Sequence, residues 1–113
     1  MAKAPKLPVR FYRTEAGNEP VREWLKSLSQ DDRKIIGDDI RTLQFGWPIG
    51  MLLNRSLGGG LNEVRCTLGS NRIARVMFAV KDGSAVLLHG FIKKSRTTPK
   101  SDLELARDRL KRL

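Results

Sequence analysis

The sequence predicts an α+β fold: a small antiparallel sheet in the order β-α-α-β-β-β-α, with an N-terminal helical hairpin and a C-terminal helix. Three observations carry that reading. Apolar residues recur at helical spacing in two adjoining stretches before residue 48. Three alternating stretches follow one another between residues 61 and 93, separated by turn signals. A last helical stretch lies beyond residue 97. The 113 residues read as one domain, 1–113.

Residues 1–7 are basic and proline-bearing and read as a poorly ordered lead. Residues 9–13 (VRFYR) are β-branched and aromatic, a short strand. Asn18 then reads as a helix cap, with Glu19 and Pro20 in the first turn. Val21, Trp24, Leu25 and Leu28 form one apolar stripe. Ser29 is a second cap, with Asp31 and Asp32 against the positive end of the helix dipole. Ile36, Ile40, Leu43 and Trp47 continue at helical spacing until Gly46 and Pro48 stop the helix. Residues 48–60 read as irregular. Their closing triplet, Gly58, Gly59 and Gly60, lacks the Lys and Ser/Thr of a phosphate-binding P-loop and reads as a flexible connector.

Residues 61–68 alternate, with Val64, Cys66 and Leu68 on one face and Glu63, Arg65 and Thr67 on the other. Residues 72–80 alternate again, Ala74, Val76, Phe78 and Val80 against Ile73, Arg75 and Met77. Asp82-Gly83 is a strong hairpin signal. Residues 85–93 are the most apolar run and read as a central strand, with Leu87, His89, Phe91 and Lys93 sharing a face by period two. Thr98-Pro99 opens the last helix as cap and first position, or Ser101 with Glu104 forms a capping box. Leu103, Ala106, Leu110 and Leu113 form its apolar face. The helices are expected to cover one face of the sheet and leave the other open.

Composition removes several classes. No run approaches the roughly 18 apolar residues of a membrane span, and no apolar secretory signal is read at the N-terminus. One Cys and one His make neither a disulfide framework nor a Cys/His zinc site. A reduced, cytoplasmic domain without metal or cofactor is the expectation. The formal net charge of +10 favours phosphate-rich or acidic partners. That charge is uneven. Residues 1–57 hold ten basic and seven acidic side chains, and residues 58–113 hold twelve and five, so most of the excess lies in the second half.

The open face is expected to gather Glu63, Arg65 and Arg75, since cross-strand neighbours lie about 5 Å apart. Arg75 sits mid-strand among apolar neighbours, where a charge needs a partner or an open site. Cleaving RNA without a metal uses the 2′-OH as nucleophile. It needs a base for that proton, cations for the phosphate and an acid for the departing oxygen. Glu63 and His89 are the candidates for acid and base, in either order. Arg65, Arg75 and Lys93 or Lys94 are the candidates to hold the phosphate. Phe91 is a candidate platform for a splayed base, and Arg72 and Arg96 join the RNA-binding set. The alternatives are ordinary: a surface ion pair for Glu63, a core histidine at His89, a core ring at Phe91. Cys66, Trp24 and Trp47 read as core.

With these residues in place, the chain resembles the RelE/HigB-type toxins of bacterial toxin–antitoxin systems, in particular the phage-derived HigB-like branch. The resemblance rests on LNEVRCTLGSNRIARVMFAV (61–80), on AVLLHGFIKKSRTTPKSDLELARDRLKRL (85–113) and on the preceding helical hairpin. The stretch LLHGFIKKSRTTP is its most specific part. The resemblance implies a RelE-like toxin fold, cleavage of mRNA, commonly on the ribosome, and neutralisation by a HigA-like helix-turn-helix antitoxin. Carried over by motif, the family's basic positions fall on Arg65, Arg75, Lys93 and Lys94. The chain departs from RelE at Glu63, where RelE has Lys. It has no counterpart of the C-terminal Tyr of some members, its only Tyr being Tyr12. A second function reading stands beside the nuclease: a non-catalytic RNA- or ribosome-binding module, a degenerate toxin.

Overall fold

A computed structural model of the chain describes residues 5–47, 54–93 and 97–113. Eight elements follow one another: β1 (Val9–Phe11), α1 (Pro20–Ser27), α2 (Gln30–Gly46), β2 (Asn54–Gly58), β3 (Leu61–Thr67), β4 (Ile73–Lys81), β5 (Ser84–Lys93) and α3 (Lys100–Lys111). One five-stranded sheet takes the order β1-β5-β4-β3-β2. The α+β class is as expected, but the element order gains a strand and the sheet is mixed: β1 runs parallel to β5, and all other pairs are antiparallel.

The extra strand is β2, within the stretch read as irregular. Its sequence NRSLG has no alternation to betray it. The glycine triplet is its turn. Gly58, Gly59 and Gly60 all have positive φ (86°, 62° and 87°), and Gly58 pairs with Leu61 across the hairpin. Residues without Cβ take this left-handed backbone at least cost. The triplet is therefore a hairpin turn and not a loose connector. Asp82 and Gly83 turn as their sequence suggests, at φ 52° and 76°, between the paired Lys81 and Ser84.

The helices do not share one face. The hairpin of α1 and α2 covers the first face, where Val21, Ile36, Ile40 and Leu43 pack on Val64, Cys66, Ala74, Val76, Phe78 and Leu87. Trp47 meets Phe78 edge-on, ring centres 5.9 Å apart. The third helix, α3, packs on the second face, over Leu61, Met77, Ala79, Val86 and Leu88. The face expected to be open is thus open only where α3 does not reach. Both faces of β5 are apolar because both are covered.

Three boundaries differ from expectation. Leu7, assigned to the disordered lead, is buried, and its N–H donates to the Gln44 carbonyl at 2.9 Å; residues 1–4 lie outside the described residues. Glu19, not Asn18, is the N-cap of α1, and no side chain caps it; Asn18 closes a short loop with Thr14 instead. Pro99 is the N-cap of α3, and neither Thr98 nor a Ser101–Glu104 box caps it. Ser29 caps α2 as read, its hydroxyl accepting from the Asp32 N–H at 3.2 Å.

Candidate nucleic-acid interface

A bulge in β5 sets the geometry of the second face. Phe78 pairs with Leu87 and Met77 with His89, which leaves Leu88 as the extra residue. An inserted residue reverses the alternation beyond it. Leu87 therefore points into the α1–α2 core, while His89, Phe91 and Lys93 lie on the second face with Arg75. Unbroken period two predicts Leu87 on the same face as His89, Phe91 and Lys93, and the bulge overturns that.

Arg65 pairs directly with Arg75, and Arg75 with Phe91. Two like charges side by side repel, and the structure answers with Glu63. Its Oε1 lies 2.9 Å from Arg75 Nε, and its Oε2 lies 3.4 Å from Arg55 Nη2. The Thr98 hydroxyl donates to Glu63 Oε1 at 3.3 Å. Glu63 and Arg75 are 0% and 1% exposed, whereas the Arg55 side chain is 52% exposed. Burial pulls the Arg75 guanidinium down from its usual range and Glu63 pulls it back up, while Arg65 and Arg55 lower it further. Arg75 thus meets its mid-strand requirement through a partner. Glu63 is sealed behind two arginines and has no approach to a substrate proton, so its geometry is that of a positioning residue.

His89 is tied to α3. Its Nε2 lies 2.7 Å from Asp102 Oδ1, and Lys93 Nζ lies 3.5 Å from Asp102 Oδ2. An ionised carboxylate only accepts, so the Nε2–H of His89 donates to Asp102, and Nδ1 is the ring nitrogen that does not face Asp102. Asp102 sits in the first turn of α3, where the helix dipole favours an anion. The His89 and Phe91 rings stack at 5.6 Å, and the Arg75 guanidinium lies 6.0 Å from the Phe91 ring centre. A cleft of about 240 Å³ between α1 and β5, lined by Trp24, Gly90 and Arg109 among others, gives onto His89.

The fold therefore brings Arg65, Arg75, Glu63, His89, Phe91 and Lys93 to one end of one face. Phe91 is buried between His89 and Arg75 and is not a free base platform. Arg72 belongs elsewhere: it grips Asp32 with two hydrogen bonds of 2.8 and 2.9 Å and braces the β3–β4 turn to the start of α2. Lys94 and Arg96 lie outside the described residues. Cys66 is buried as read, and burial, with Asp39 nearby, pushes its thiol pKa far up.

Sequence reasoning missed Arg55, Thr98 and Asp102 at this site. Arg55 stands in a strand without pattern. Asp102 looks like an ordinary first-turn acid, and only the packing of α3 on the second face turns it toward His89.

Fold and site together define a small α+β protein with a basic patch, backed by a buried carboxylate, at one end of its sheet. Residues 23–111 match the family described as Phage derived protein Gp49-like (DUF891), and the chain belongs to that family, which is associated with toxin–antitoxin systems. No curated protein matches the chain. Among the described residues, no helix is long and apolar enough to cross a membrane.

Proposed function

We propose that this protein is the toxin of a type II toxin–antitoxin pair and acts as a metal-independent mRNA endoribonuclease, cutting on the ribosome and so inhibiting translation and growth. The observation that carries the reading is the convergence of Arg65, Lys93 and the His89–Asp102 pair over buried Arg75. Arg65 and Lys93 are exposed and bind the scissile phosphate, Arg65 through its fork and Lys93 as a point charge. Arg75, fixed from behind by Glu63, adds positive potential where charge develops in the transition state. His89 makes one of the two proton transfers, oriented by Asp102. Its neutraliser is a HigA-like helix-turn-helix antitoxin whose acidic side chains mask Arg65 and Lys93.

The burial of Glu63 favours a second reading, a non-catalytic RNA or ribosome binder, because it removes one of two acid–base candidates. A cleavage assay on translating ribosomes separates them. The nuclease reading expects cut mRNA, lost with Arg65→Ala and reduced about 100-fold or more with His89→Ala. Intact mRNA after incubation with the wild-type protein leaves the binder.

A further inference from the structure

The second face has another end. There Arg10 is in register with Val86, and Lys81 lies two residues beyond Ala79 on β4, so both project on the side that α3 covers. Helix α3 runs away from Asp102 toward this end and brings Arg112 to it. Arg10, Arg13, Lys81 and Arg112 line one cleft of about 320 Å³, and no acidic side chain lines it.

The negative end of the α3 dipole accounts for one of these cations. Arg112 is held there by Asp108, at 3.3 Å. It does not account for three more, drawn from β1, the segment after it and β4. Among the described residues, Arg10, Arg13 and Lys81 stand in no ion pair. Three such cations in one cleft that no acidic side chain lines repel one another unless an anion is bound.

We propose that this cleft is a second phosphate-binding site, gripping the backbone of an RNA strand at the opposite end of the face from His89. The proposal rests on RNA as the ligand in the function above, and not on cleavage. The cleft's aromatic neighbours are already used: the Tyr12 ring lies under Arg109, 5.7 Å from its guanidinium, and Phe11 packs on the α1–α2 core. The site therefore offers charge and no stacking surface, which suits phosphate and reads no base.

The test is binding of a fluorescein-labelled single-stranded RNA, followed by anisotropy across a salt series, for the wild-type protein and Arg10→Ala/Lys81→Ala. Arg10 is exposed and Lys81 half-buried, and an unchanged Tm checks the fold. The expected result is weaker binding whose dependence of log K on log salt is shallower by about 0.7 for each phosphate contact removed. If the RNA binds with an unchanged slope, the second site is overturned while the proposed function stands. If the wild-type protein binds no RNA, both fall. If RNA binding is unchanged but binding of poly-glutamate is lost, the cleft is a site for an acidic protein and the proposal is overturned.

Discussion

Arg75 Nε sits 2.9 Å from Glu63 Oε1, with both side chains closed off from solvent beneath the basic patch. The pair crosses from β4 to β3 on the second face. It gives the sheet a cation that the surface residues Arg65 and Lys93 can act with. It also explains why an acid stands in a strand otherwise surrounded by basic residues.

Removing one member of such a pair costs more than the pair itself contributes, because a buried charge loses its countercharge. Glu63→Ala is expected to lower the unfolding free energy by about 3–5 kcal/mol. Replacing both by apolar residues, Glu63→Leu with Arg75→Met, is expected to restore most of that loss while abolishing RNA cleavage. Urea unfolding of the three variants checks the first part, and a cleavage assay the second.

Gly90 is the point where α1 touches β5. A Cβ at this position would overlap the six-membered ring of Trp24. Gly90→Ala is expected to cost about 1–3 kcal/mol through overpacking. Trp24→Ala makes room for the methyl, so the double variant is expected to be more stable than the two single losses added together. Thermal unfolding of the four proteins measures that coupling. An additive double variant would show that the helix shifts freely over the strand.

The Asp32–Arg72 pair makes stability depend on acid. Hydrogen bonds from Arg72 are the main reason why the Asp32 carboxyl sits below its ordinary value of about 3.8. A group depressed on folding stabilises the protein above its unfolded pKa, and that contribution is lost as pH falls through the folded value. Arg72→Met is therefore expected to unfold at lower urea than wild type at pH 7. The gap should narrow as pH drops below about 3.8. Urea midpoints from neutral pH down to pH 2 test this; a gap that widens in acid would contradict it.

Cys66 is wholly buried and its thiol pKa is raised, so it holds little thiolate at neutral pH. A thiol reagent such as DTNB is expected to leave the native protein unlabelled at pH 8 and to label one equivalent in guanidinium chloride. Rapid native labelling would mean that β3 opens locally.

The positions that alternate or repeat were readable from residue order alone, because period is a local property. The stripes of α1 and α2, the faces of β3 and β4, the Asp82-Gly83 turn and the Ser29 cap follow from it. So does the gathering of Glu63, Arg65 and Arg75, since strand register sets their spacing. Three features depend on longer-range packing. Strand β2 forms because β3 offers it an edge, not because NRSLG favours a strand. The bulge at Leu88 follows from fitting β5 to β4 and to two covering layers, and it decides which side His89 faces. The side on which α3 packs is set by the second apolar cluster, and it brings Asp102 to His89 and Thr98 to Glu63. The sequence by itself determined which charges stand on β3, β4 and β5. The tertiary structure decided which are sealed and which face outward, because burial and countercharge arise only when distant elements meet.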